Sequence, residues 1–487
     1  MTGKREEGYL TVYTALSFTA LLAVFCVLLE GIRLNTVQLE AELITDIAGD
    51  SILAEYHREM LEQYDMFWVD TSYGGEKPAM EETEEHLKSY LIRNCQPLES
   101  LLDYYLYRDL LGLQVKEAVI EKAALATDGG GKVFRMRAVE AVKDEIGLHY
   151  LEQIAGWLET VQSYNLDGRN MEQEMQAAGA ELEALDGQRK KVGESWVTVA
   201  IENPLQALEL EQQKGILHLV LEDPDRVSPV IVNTDSLISA RRARGELNDG
   251  NWETFEEETI WDRLLWQEYL LRHCGYYGAE KQDGVLQYQL EYLIAGNAGD
   301  VENLRSIAWR ICAMRWAADA VYLFSDTVKC AQAETAATAL MTILLIPEAA
   351  PVAKVLLLLA WSYAEAVYDT ARLLAGDGVE LLKTDENWHY DVEQLLNGIL
   401  EGILDKIVPT EEEPEGLMYE DYLRIFLALT PLEEQTFRMM DIVEMDIRAT
   451  PGNSSFRMDG CIDRMQLAVV LEGAYGYPVT VRVKKQY

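Results

Sequence analysis

Between Leu10 and Leu29 the chain carries no charge and consists mostly of Leu, Val, Ala and Phe. About 20 residues at a 1.5 Å rise match a hydrocarbon core of about 30 Å, so the pattern predicts a transmembrane helix over residues 9–33. Thr11, Thr14, Ser17 and Thr19 interrupt it at little cost, because their hydroxyls can bond back to helix carbonyls. Beyond Arg33 the apolar positions thin to a spacing of three and four: Leu34, Val37, Ala41, Ile44, Ala48, Ile52, then Glu55 and Tyr56. This predicts that the helix leaves the membrane as an amphipathic stem over residues 34–70, with Gly49 marking a bend.

The remainder, residues 71–487, reads as one large head. Alternation over Leu113–Leu125, Ser195–Ile201 and Ile216–Glu222 predicts strands. Helical patterns cover Val133–Ser163, Trp252–Arg272 and Gly284–Gln332, and Glu82–Tyr107 with a break at Pro97. Met171–Lys191, rich in Glu, Gln, Ala and Arg, predicts an exposed helix or short coiled-coil arm. The apolar runs "AATALMTILLI" and "VLLLLAWSYA" are divided by Pro347, Glu348, Pro351 and Lys354. Each is too short to span a bilayer, so residues 335–367 are expected to form a buried helical hairpin. The closing alternation around "EGAYGYP" predicts a C-terminal β-hairpin over 463–487. The fold class is therefore α+β, mainly helical, with a small antiparallel sheet in the head.

Charge narrows the partners. Among 487 residues, 42 Lys and Arg face 83 Asp and Glu, a net charge of −41. Such a polyanion repels phosphate backbones, so no nucleic-acid partner is expected. Lys4 and Arg5 precede the apolar run and only Arg33 follows closely, which places the N-terminus in the cytoplasm and the acidic head outside the plasma membrane. "LLEGIRLNT" offers no small-x-small cleavage site, so the helix is expected to be retained. Six scattered cysteines, one of them Cys26 inside the apolar run, form no CxxC pair and no disulfide framework.

Candidate chemistry is sparse. His57, His86, His149, His218, His273 and His389 lack metal-ligand spacing. "HCGYYG" sets His273 beside Cys274, but catalytic pairs meet in space rather than in sequence, and a helix end at Gly275 explains the stretch as well. "TDGGGK" (Thr127–Lys132) lacks the spacing of a phosphate loop and reads as a strand-to-helix turn. The acidic runs Glu256–Asp262 and Glu411–Glu415 lack the order of a calcium loop, although they can hold divalent cations weakly. The tyrosine clusters "DYYLY" and "GYYG" read as core packing. No catalytic, cofactor or metal residue and no small-molecule substrate follows from these motifs, and a non-enzymatic protein is expected.

Two resemblances add context. The charged leader ending in Gly8, followed by "YLTVYTAL" and the apolar helix, resembles the start of type IV pilins and TadE-like pseudopilins. That resemblance implies cleavage after Gly8, a new amine at Tyr9, and packing of the helix into an assembly. The family usually carries Glu five residues after the cut, where this chain has Tyr13. It also implies a globular head with a small antiparallel sheet against the stem. The stretches "EGIRLNT", "AEYHREMLEQYDMFWVDTSYG", "LQYQLEYLIAG", "IPEAAPVAKVLLLLAWSYAEAVYDTARLLAG" and "DYLRIFLALT" resemble an uncharacterised family of Gram-positive anaerobes, a domain of unknown function that accompanies tight-adherence pilus or type II secretion genes. Together they imply a membrane-anchored, pseudopilin-like accessory subunit with pilus or secretion subunits as partners. The alternatives are an anchored extracellular hydrolase using carboxylate chemistry and an envelope structural protein unrelated to pili.

Overall fold

The computed structural model describes residues 4–95, 111–143, 148–184, 189–192, 195–198, 215–241, 258–401 and 416–487. The break at Pro97, the "DYYLY" cluster, residues 199–201 and 252–257 and the acidic run 411–415 lie outside them. In chain order the elements begin with α1 (Lys4–Leu53), α2 (Arg58–Tyr64), β1 (Val69–Asp70), α3 (Met80–Cys95), β2 (Gln114–Leu125) and α4 (Asp128–Val142). Then come α5 (Leu148–Ser163), α6 (Met171–Glu183), β3 (Arg189–Val192), β4 (Ser195–Thr198), α7 (Ile216–Val220), α8 (Ile238–Arg241), α9 (Ile260–His273), α10 (Gln289–Ala295) and α11 (Asp300–Ser325). The chain ends with α12 (Thr327–Ile343), α13 (Ala350–Ala375), α14 (Val392–Glu401), α15 (Tyr419–Leu429), α16 (Leu432–Arg448), β5 (Cys461–Gly473) and β6 (Tyr477–Gln486). This is an α+β fold, mainly helical, with a small antiparallel sheet and a long apolar N-terminal helix.

The chain forms two compact units. The first takes residues up to Arg137 and from Ile447 to the end, so its last strands arrive after the whole second unit has been traversed. Its centre is β5. One edge of β5 pairs with β2 from Ile462 to Glu472. The other edge pairs with β1 at Cys461 and Ile462 and with β6 from Arg464 to Gly473, all antiparallel. The second half of α1 lies on this sheet. Val37, Ala41, Ile44, Ala48 and Ile52 are buried together with Leu467, Leu471, Val479 and Val481, the helical seam that the spacing of three and four describes.

Two readings of this unit need correction. Gly49 marks no bend: α1 runs through it. A Cβ there would sit 2.8 Å from Lys485 Cγ and 3.1 Å from Leu467 Cδ1, so the glycine serves the close approach of β6. Nor does the stem helix reach residue 70. It ends at Leu53, and the following apolar residues turn back into the unit as α2 and β1. The His57 amide donates to the Trp68 carbonyl at 2.8 Å, and Trp68 and Val69 are fully buried, so burial of these two drives the reversal.

The second unit, Ala138–Arg241 and Glu258–Asp446, is helical with one described hairpin, β3–β4. Its spine is α13, buried from Leu356 to Leu374 except for short breaks, against α11 and α12. Burial in the α12–α13 hairpin is uneven. α12 covers only Ala333, Ala337 and Met341 and leaves Leu340 and Ile343 exposed, so a hairpin buried on both arms does not describe it.

Other segments differ from their patterns as well. Ile216–Val220 is a helical turn, not a strand. Ile216, Leu217 and Val220 share a face that packs on α11 and α13, and so short an apolar run fits either period. Met171–Lys191 is no exposed arm: α6 buries Met171, Met175, Gly179 and Leu182 against α11 and α13, and the chain then enters β3. Gly284–Gln332 holds α10, α11 and the start of α12, divided by the left-handed Gly296 (φ 73°) and by Asp326, whose carboxylate caps α12.

Gly49→Leu is expected to lower the stability of the first unit by roughly 1–3 kcal/mol, because the side chain must displace β6. Denaturant unfolding of the full chain in detergent checks this, and an unchanged midpoint would contradict the close-approach reading.

Candidate functional site

The most exposed apolar surface is the first half of α1. Its large apolar residues from Tyr9 to Ile32 are exposed, and the helix is long and apolar enough to cross a membrane. Gly8 lies within its backbone. Tyr9 and Tyr13, 79% and 70% exposed, stand one turn apart and so share a face. Arg33 closes this segment. Its Nη2 donates to Glu30 Oε1 at 3.1 Å and to the Ala474 carbonyl at 3.2 Å, and the guanidinium lies 4.6 Å from the Tyr475 ring centroid. Past Arg33, on the side away from the sheet, Leu39, Leu43 and Ile47 remain 66%, 52% and 43% exposed at four-residue intervals. That outward stripe was missed in the sequence because Glu40, Glu42 and Asp46 interleave it.

Among the described residues the histidine and cysteine motifs gather no reactive pair. Cys274 is buried with its Sγ 3.4 Å from Met439 Sδ, and burial pushes its thiol up to about 12, so it stays protonated at neutral pH. His273 packs on Tyr269, His389 stacks on Tyr368 with centroids 3.9 Å apart, and His57 packs on Phe456. His86 Nδ1 lies 3.0 Å from both carboxylate oxygens of Glu55, which also accept from Tyr73 and Tyr90. In "TDGGGK", Gly129, Gly130 and Gly131 have φ of 62°, 68° and 79°, a left-handed entry to α4 that only glycine adopts readily. Among the described residues no three His, Cys, Asp or Glu side chains are grouped to hold a metal ion.

The strongest electrostatic feature is buried in the second unit. Arg315 on α11 donates to Asp319 Oδ1 at 2.7 Å and to Asp369 Oδ2 at 3.0 Å, and its Nη1 donates to the carbonyls of Glu380 and Leu381. Lys383 bonds Glu365 and lies 2.8 Å from Asp369 Oδ1. Glu365 also accepts from the amides of His389 and Tyr390. Two cations thus face three carboxylates out of water. Burial raises Asp319 well above the ordinary carboxylate range against the pull of Arg315, and Asp369 and Glu365 add to the rise. A proton on Asp319 brings the set to neutrality. Sequence offered only the one-turn spacing of Arg315 with Asp319 and of Glu365 with Asp369, too common a pattern to single out.

Glu291 is a second buried acid. It accepts from the Tyr277 amide at 2.9 Å and from the Tyr419 hydroxyl at 2.7 Å. Burial raises it to about 7, with Asp300 adding to the effect. Neither acid lies in an open cleft: both are fully buried, and each keeps one carboxylate oxygen, Asp319 Oδ2 and Glu291 Oε2, without a hydrogen-bond partner among the described residues.

Residues 194–473, more than half of the chain, match a family of unknown function, DUF5702, and the chain belongs to that family. No curated protein and no solved structure matches the chain.

Arg315→Leu strands three buried carboxylates with one lysine, and a loss of about 3–5 kcal/mol is expected in denaturant unfolding of the full chain. A loss under about 1 kcal/mol would show the network to be dispensable. Glu291 gives a pH test. The folded chain keeps a proton that the unfolded chain releases above about 4.5, so stability falls as pH rises from there through about 7, by on the order of 3 kcal/mol. Glu291→Gln keeps an acceptor oxygen and cannot ionise. The melting temperature of this variant relative to the parent should therefore rise between about pH 5 and about pH 8. A variant-minus-parent difference that stays constant or falls would contradict the raised acid.

Proposed function

We propose that the chain is a membrane-anchored, extracytoplasmic structural or accessory subunit, pseudopilin-like, of a tight-adherence pilus or type II secretion-like system. The observation that carries this reading is the division of α1. Its first half is apolar and bare, and its second half seats by one narrow seam on an antiparallel sheet. A helix bare on all sides is suited to lipid, and one with a seam is suited to a folded head. Lys4 and Arg5 before the apolar half support a cytoplasmic N-terminus and a head outside.

The stripe Leu39–Leu43–Ile47 supports assembly with other subunits. Three large apolar side chains on one helix face, clear of the chain's own sheet, suit a second helix laid alongside. Removal of the leader through Gly8 would set a new amine at Tyr9, and Tyr13 offers that amine no carboxylate. This favours a minor or tip position beside subunits that supply one.

In cells stripped of wall, added protease is expected to digest the chain from Asn35 onward and to leave the apolar half of α1 with the membrane. Leu43→Asp should preserve that digestion pattern and abolish co-purification with pilus or secretion subunits. A protected head refutes the topology, and unchanged co-purification of the variant refutes the role of the stripe.

A further inference from the structure

The tip of the β5–β6 hairpin sits at the point where the bare half of α1 ends, and its composition is unusual for a water-facing turn. Ala474–Gly476 joins the two strands, with Tyr475 at φ 67°, a left-handed conformation that costs a tyrosine strain. Tyr475 is 94% exposed, and the Arg33 guanidinium lies over its ring. Tyr477, just beyond, is also exposed. The tip is nevertheless firmly placed. The Ala474 amide donates to the Leu111 carbonyl at 2.7 Å, and a Cβ on Gly473 would meet Val37 Cγ1 at 3.1 Å. The height of the tip along α1 is therefore set to within about one turn, roughly 5 Å, of Arg33.

We propose that this tip is a bilayer-contacting element, with Tyr475 and Tyr477 lying in the lipid headgroup layer and Arg33 reaching the lipid phosphates. The proposal rests on the reading of α1 as a membrane anchor. Three observations meet in it. The all-round apolar surface of α1 stops at Arg33, beyond which Leu39, Leu43 and Ile47 keep one face of the helix exposed and apolar. Two exposed aromatic rings with polar ends occur at that level, where tyrosine is most stable in a membrane protein. A cation on a long stem lies between them and the span, able to extend toward phosphate while its methylenes stay apolar. A tyrosine held in a strained turn against one cation stabilises little in water, whereas a headgroup layer would cover its ring.

The test uses the full chain in vesicles of phosphatidylcholine and phosphatidylglycerol, with the photocrosslinker p-benzoylphenylalanine placed singly at three positions. Tyr475→p-benzoylphenylalanine probes the tip, and Leu22→p-benzoylphenylalanine probes the span. Phe67→p-benzoylphenylalanine probes an exposed ring that stacks on Tyr487 at the opposite end of the seam. Lipid adducts detected by mass spectrometry are expected at positions 22 and 475, several-fold above position 67. Adducts at 22 with position 475 no higher than 67 would overturn the proposal and leave the anchor intact. Adducts at neither 22 nor 475 would overturn both. Crosslinking of position 475 mainly to a second protein chain would also overturn it, in favour of a subunit contact.

Discussion

The first unit depends on how closely β6 and β5 approach α1. Ala41, Ala48 and Gly49 keep that face of the helix low, and at Gly49 a Cβ would meet Lys485 Cγ at 2.8 Å, so a side chain there must push Lys485 aside. Cations hold the seam in register at both ends. Lys485 bridges Asp46 and Asp50 at 2.7 and 2.5 Å, and Arg33 holds Ala474 and Tyr475 at the other end. Asp46 and Asp50 are more than half exposed, so the first clamp adds little energy. Its contribution is position: a slide of β6 along α1 would break both ends together. The sheet that carries this seam closes late, because β5 and β6 lie beyond the whole second unit in sequence. Pairings of such separation form slowly and give a strong apolar seam more to do in folding.

The second constraint is an excess of carboxylates over cations. With 83 acids and 42 Lys and Arg, not every carboxylate can have a charged partner. The fold meets this with tyrosine. Tyr276 donates to Glu420 at 2.6 Å, Tyr292 to Asp441 at 2.8 Å, Tyr419 to Glu291 at 2.7 Å and Tyr322 to Asp385 at 2.8 Å. Tyr73 and Tyr90 do the same for Glu55. A phenol supplies a hydrogen bond and a large apolar surface without adding charge, which suits an acid that lies at the edge of a core. Buried cations stand where carboxylates meet one another: Arg315 and Lys383 at Asp319, Glu365 and Asp369, and Arg424 at Glu268, Glu420 and Asp421. Where only neutral donors reach a buried acid, as at Glu291 and Asp441, its pKa rises toward neutrality.

Much of the fold was legible where one period persisted over many residues. The seam of α1 from Val37 to Ile52, the strand β2 and the alternation in β5 and β6 are long enough for period two or period three-and-four to exclude the other. Short runs were not legible. Ile216–Val220 has too few residues to distinguish a turn of helix from a strand, and its packing against α11 and α13 decided the matter. Gly49 looked like a helix defect because sequence shows a missing side chain but not the strand that needs the space. The bare apolar half of α1 announced itself, whereas the hairpin tip beside Arg33 could not, since residues 33 and 475 meet only through the register of the seam. Tyr276 of "GYYG" was read as plain core, and its hydroxyl partner Glu420 lies far away in sequence.

The net charge and the anchor together constrain how such a chain can meet a membrane. An anionic lipid surface repels a polyanion, and each exposed carboxylate held within a Debye length of about 8 Å adds to the repulsion. If α1 enters a bilayer as proposed, the side of the first unit nearest the lipid must carry few unpaired acids. Among the described residues the tip meets that requirement. Glu30 is paired with Arg33, Glu472 is paired with Lys116 at 3.2 Å, and the turn between the strands is Ala474, Tyr475 and Gly476, all uncharged. The opposite end of the seam carries Asp46 and Asp50 beside one lysine. Charge along the seam therefore runs from balanced at the tip to acidic at the far end. In a chain anchored as proposed, that gradient would orient the first unit with its hairpin toward lipid and its carboxylates in water, before any partner subunit is considered.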